Sequence, residues 1–185
     1  MTRPRWPMTA ALRPALMLAA PLLAAAGLTA CTPTFDWREL RPADSGAVAM
    51  FPCRPASHAR EVLLAGHRVR LTMHACSAGD STWAQAWADL EDPARIGPAL
   101  EELRAAAAAN LAAGAGRALP LQVEGTTPSP AMQRVAFEGR LPDGKAAQEQ
   151  VALFAKGLRV YQATALGAKL QAEAAETFFG GLKTP

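Results

Sequence analysis

From Arg68 to Ala75 the chain changes character at every residue: Val69, Leu71, Met73 and Ala75 alternate with Arg68, Arg70, Thr72 and His74. A period of two suits a strand with one covered face and one wet face, and no helix satisfies it. A second strand run, Arg60 to Ala65, precedes it, and Gly66 lies between the two, so the simplest connection is a hairpin. Ser81 to Leu90 alternates as well, with Trp83, Gln85, Trp87 and Asp89 on one side and Thr82, Ala84, Ala86 and Ala88 on the other. Whatever this chain folds into must contain an antiparallel sheet.

The rest of the body supplies what covers such a sheet. Ala47 to Phe51 is a short apolar strand stopped by Pro52, which cannot donate to a ladder. Glu91-Asp92-Pro93 has the acids and early proline of a helix start. Beyond it Ile96, Leu100, Leu103, Ala107 and Leu111 form one apolar stripe at spacings of three and four. Pro98 is tolerable only in a first turn, which puts the start of the regular helix near 98, and Gly114 and Gly116 end it. Strands are expected again at 119–124, 132–141, 145–156 and 158–166, with Pro142-Asp143-Gly144 and Gly157 as turns. A last helix begins near Gln171, with Ala175, Phe178, Phe179 and Leu182 on one face. Strands, a helix, strands and a helix predict an α+β fold: an antiparallel sheet sandwich covered by a mid-chain helix and a C-terminal helix.

Residues 1–30 are of another kind. They hold Arg3, Arg5 and Arg13 but no acid, then an apolar stretch from Ala15 to Gly27 rich in Ala and Leu. This is the layout of an export signal. A transmembrane anchor is the competing reading, but two prolines and an alanine-rich centre suit a spanning helix poorly. Leu28-Thr29-Ala30-Cys31 closes the segment. These four residues resemble the lipobox of bacterial lipoproteins, in which the cysteine takes a diacylglyceryl group and the peptide before it is removed. The resemblance implies lipidation at Cys31. Thr32 stands where an inner-membrane retention signal would carry Asp, so the implied location is the periplasmic face of the outer membrane.

The expected division is a signal peptide over 1–30, a lipidated tether over 31–46 and a single domain over 47–185. Three of the 19 basic residues and none of the 16 acids lie in the signal, so the remainder carries equal numbers and is neutral. Without clustered Lys and Arg there is no footprint for nucleic acid. Phe35 and Trp37 stand out in the otherwise polar tether. They dock on the domain or sit at the membrane interface, and docking is the simpler expectation.

Chemistry is sparse. There is no glycine-rich phosphate loop, no Gly-x-Ser-x-Gly and no His-Glu-x-x-His. The expectation is therefore a non-catalytic protein without cofactor or metal. His58, His67 and His74 read as ordinary exposed histidines. Cys53 and Cys76 leave three readings open: a disulfide, which an oxidising compartment favours; two free thiols; or zinc shared with His58 and His74. Trp83 and Trp87, with Tyr161, are the candidates for a ligand groove, although a tryptophan pair on a sheet is more often covered by a helix.

Several stretches together resemble the PsbP-like α/β sandwich. They are Phe51-Pro52-x-x-Pro55 at the end of the first strand, the meander and mid-chain helix, Leu158-Arg159-Val160-Tyr161-Gln162, and the terminal Phe178-Phe179-x-x-Leu182. The opening Phe35-Asp36-Trp37-Arg38-Glu39 is similar to that of uncharacterised proteobacterial envelope lipoproteins. The resemblance covers most of 35–183. It implies an accessory or binding module for an unidentified envelope protein; a small-ligand carrier or sensor, with its groove near Trp83, Trp87 and Tyr161, is the alternative reading of the residues.

Overall fold

The computed structural model describes residues 33–185; the expected signal peptide and Cys31 lie outside the described residues. Seven antiparallel strands form one sheet in the order β3-β4-β5-β9-β8-β7-β6. They are β3 (Ala56–Leu64), β4 (His67–Ala78), β5 (Ser81–Asp89), β6 (Arg117–Leu119), β7 (Gln133–Arg140), β8 (Ala146–Lys156) and β9 (Arg159–Gly167). A separate two-stranded ribbon pairs β1 (Arg38–Leu40) with β2 (Ala49–Phe51). Two helices, α1 (Ile96–Asn110) and α2 (Ala172–Gly180), complete an α+β fold.

Each face of the sheet carries its own core. On one face α1 lays Ile96, Leu100, Ala107 and Leu111 over Val135, Phe137, Val151, Leu153 and Val160. On the other, α2 and the ribbon bring Phe178, Phe179, Leu182 and Phe51 onto Trp83, Phe154 and Tyr161. The central strands are therefore buried on both sides, so β5 shows almost no wet residue between Trp83 and Ala88. The small side chains Ala84, Ala86 and Ala88 share the face covered by α1, and the large ones the face covered by α2.

The hairpin around Gly66 is present with a two-residue turn. Leu64 pairs with His67, and both central residues, Ala65 and Gly66, have positive φ (48° and 77°). That is the primed turn whose twist matches the strands it joins. A carboxylate oxygen of Glu102 on α1 accepts from the Ala65 amide at 2.7 Å, which ties the hairpin tip to the helix. The chain enters α1 through a 3-10 turn, Pro93–Arg95, capped by the Asp92 side chain accepting from the Ala94 amide at 2.9 Å. Regular helix thus begins at Ile96, and Pro98 falls in its first turn, where no donor is missed.

Two expectations need correction. Residues 31–46 were expected to be a tether, yet β1 lies within them and pairs with β2. Phe35, Trp37 and Leu40 pack against the α2-side core, so this segment is part of the sandwich from Phe35 onward. The expected strand at 119–124 is also displaced. β6 spans Arg117–Leu119, Pro120 cannot donate onward, and Glu124 returns only as an isolated bridge to Lys183.

α2 is pinned from below by Arg134 of β7, which is 4% exposed. Its guanidinium donates to both Glu176 carboxylate oxygens (3.1 and 2.8 Å) and to Gln150 Oε1 (2.6 Å). It also lies 4.2 Å from the Phe179 ring centroid. A charge so deeply buried is tolerable because its carboxylate partner and the ring face are both supplied.

Candidate functional site

Residues directly opposite across an antiparallel ladder point to the same face. The register pairs His74 with Ser57 on β3 and Gln85 on β5, Thr72 with Ala59 and Trp87, and Arg70 with Glu61. All therefore share the α2 face. Neither α2 nor the ribbon reaches the β3 side of that face, and a groove of about 520 Å³ remains there. Its floor is β4 and β5, one wall is the Ala43–Asp44 loop between β1 and β2, and the far side opens over β3.

The wall is held by charge. Arg159 makes a two-pronged ion pair with Asp89, both N···O distances being 2.6 Å, and also donates to the Asp44 carbonyl. The Asp89 bond raises the pKa of Arg159. Both charges are spent on each other.

The floor is different. His74 lies flat against Trp87, ring centroids 5.3 Å apart and planes 15° from parallel. Burial lowers the His74 pKa and so favours the neutral ring, which has one donor and one acceptor. Among the described residues, Arg70, the Ser57 and Thr72 hydroxyls and the His74 ring make no ion pair and no side-chain hydrogen bond. Four polar side chains thus converge on one opening with their bonding capacity unused, and the Asp44 carboxylate at the wall is unpartnered as well among the described residues. Behind them Gln85 is fully buried, and neither its amide nitrogen nor its oxygen has a partner.

The three aromatic candidates do not share a groove. Trp83 is 1% exposed beneath Phe178, Phe35 and Trp37, and its indole N–H donates to the Ala78 carbonyl at 3.0 Å. Tyr161 is 2% exposed, stacks on Phe154 and donates to the Ser45 carbonyl at 2.8 Å. Trp87 alone reaches the opening. Their aromatic surface holds the sandwich together.

Cys53 and Cys76 are joined in a disulfide, Cα to Cα 6.0 Å. That removes both thiolates from the zinc reading. The histidines disagree with it as well: His58 pairs with Met73 and so lies on the face opposite His74. Among the described residues no group of three or more His, Cys, Asp or Glu is placed to hold a metal ion. His58 and His67 are exposed as expected, whereas His74 is half-buried because Trp87 and the neighbouring strands cover it.

The alternation read from the sequence already placed Arg70, Thr72 and His74 on one face. It marked that face as wet; the ribbon, formed by residues far away in sequence, turns it into a groove. No protein-family model matches this chain, and no curated protein matches it.

Proposed function

We propose that the chain is a lipid-anchored envelope protein, held through Cys31 at the periplasmic face of the outer membrane. Its domain is a non-catalytic module that docks another envelope protein through the β3–β4–β5 groove. The observation that carries this reading is the set of four unpartnered polar side chains facing one opening beside an edge strand. A sheet with a mid-chain helix on one face and the terminal helix on the other supports assigning the sandwich to the PsbP-like kind.

Anchoring rests on the Leu28-Thr29-Ala30-Cys31 motif. The Phe35 ring sits over the β4–β5 turn, where a Cβ at Gly79 would meet it at 2.5 Å. Four residue steps separate Phe35 from Cys31, a reach of about 14 Å at most. The lipid would therefore hold that turn near the bilayer. Arg70 lies eight residues along β4 from Ala78, about 26 Å away at strand rise. In this reading the groove opens toward the periplasm. Among the described residues no helix is long and apolar enough to cross a membrane.

Two measurements test the reading. Radioactive palmitate should label the wild type and not Cys31→Ala; equal label on both would end the anchoring claim. Affinity purification of the full chain from solubilised membranes should yield one stoichiometric partner, lost on Thr72→Arg, which fills the groove without touching α2. A partner retained by Thr72→Arg would contradict docking at this face. A second reading, a small-ligand carrier, draws on the groove volume, which falls within the range of about 300–1,000 Å³ usual for ligand sites. Quenching of tryptophan fluorescence by a metabolite extract would favour it.

A further inference from the structure

β3 is the edge of the sheet, and no described strand pairs with its outer side. Its outward groups follow from the hairpin. Leu64 and His67 flank a two-residue turn and so form the closing hydrogen-bonded pair. Pairs alternate from there, which makes Val62, Arg60 and His58 the residues bonded to β4. The N–H and C=O groups of Ser57, Ala59 and Glu61 therefore point away from the sheet. These same residues carry their side chains on the groove face.

Ala59 stands opposite Thr72, between Arg70 and His74. Its methyl group leaves a passage from the free edge into the groove. A residue paired with Ala59 from outside would lie two strand spacings from β4, about 10 Å. A glutamate or aspartate side chain reaching inward and Arg70 reaching outward span that gap. Asp44 and Glu61 bring carboxylates to the same face, and the unspent donors beside them are a guanidinium, two hydroxyls and an imidazole N–H. These donors match a carboxylate, and a guanidinium is the side chain best shaped for one.

Resting on the docking reading above, we propose that an extended segment of the partner protein adds to the outer edge of β3. It points one Glu or Asp carboxylate across Ala59 to Arg70 and His74. Main-chain hydrogen bonds then supply affinity and the carboxylate supplies register and choice of sequence, the division of labour usual in strand addition.

The test is a titration of the full chain in detergent, isotope-labelled only in histidine, with the blocked peptide acetyl-Thr-Val-Glu-Val-Thr-amide. Stacking on Trp87 separates the His74 ring signals from those of His58 and His67. A saturable shift of His74 is expected. Affinity should fall about tenfold or more when the peptide Glu becomes Gln, when its amide is N-methylated, and in Arg70→Gln. A Gln peptide that binds as well overturns carboxylate recognition, and an N-methylated peptide that binds as well overturns strand addition. No saturable shift, or inorganic phosphate displacing the peptide at equal concentration, overturns the proposal as a whole. The N-methylated peptide leaves the protein unaltered, so that arm does not depend on a variant folding. A membrane partner still captured by Arg70→Gln and by Ala59→Pro overturns this site while the docking function stands. Peptide binding as described with no partner captured by the wild type supports the site and removes the function.

Discussion

His74 of β4 lies flat on Trp87 of β5, ring centroids 5.3 Å apart, although the two side chains belong to neighbouring and not opposite positions of the ladder. The contact removes water from one imidazole face, and burial lowers the His74 pKa. A histidine titration should give a value below 6.5 for His74 and a rise toward 6.5 in Trp87→Leu. Because the folded value is the lower one, His74 favours the folded state above pH 6.5. That contribution is lost as the pH falls below 6.5 and through the folded value. An unchanged value in Trp87→Leu would show that another group sets it.

Glu149 gives the opposite dependence. It sits on β8 between Phe137 and Leu166 on the face covered by α1, 5% exposed, with no hydrogen-bond partner among the described residues. Burial pushes its carboxyl up from 4.5 to about 7. The folded state therefore holds a proton that the unfolded chain releases, and stability falls as pH rises from 4.5 toward 7. The loss amounts to up to about 3 kcal/mol. Urea melts of Glu149→Gln at pH 8 should show a gain of that order and a flatter pH profile. A variant no more stable than wild type at pH 8 would contradict the buried, unpaired carboxylate.

Gln85 is the other polar residue at odds with its surroundings. Both ends of its amide are unpartnered within the core. Gln85→Met keeps the volume and removes the desolvated dipole, so stability should rise by about 1–3 kcal/mol. A loss instead would mean that an ordered water bonds the amide.

The disulfide joins the segment after β2 to β4, across 23 residue steps. By chain entropy it stabilises the fold by about 3 kcal/mol. The double variant Cys53→Ser/Cys76→Ser should lose that much in urea, and intact mass after alkylation should show no free thiol in the mature wild-type domain before reduction and two afterwards. Two free thiols before reduction would contradict the bridge.

What was legible in the sequence is what neighbouring residues decide among themselves. The stripe from Ile96 to Leu111, the Gly66 and Gly157 turns and the Phe178–Phe179 face depend on local periodicity, and all are found in the structure. The docking of Phe35 and Trp37 was legible, but the pairing of β1 beside them was not, because polar residues outnumber apolar ones there. Phe35 and Trp37 meet Trp83, more than forty residues later, and Leu40 packs against the same core. The groove was hidden for the same reason. Arg70, Thr72 and His74 read as a solvated face until the Ala43–Asp44 loop stands over them, fixed by Arg159 from the other half of the chain. Alternation assigns residues to faces, but what covers a face is a long-range fact.

Docking at the groove is tested most directly in living cells by a photocrosslinking amino acid placed at Ser57, with Lys145 as the control. Ser57 lines the groove, whereas Lys145 lies exposed in the β7–β8 turn, remote from it. Illumination should give one discrete adduct from position 57 and none from position 145, and the adduct should disappear when Arg70→Gln is added. No adduct at position 57, or the same adducts from both positions, would contradict the groove as the docking site.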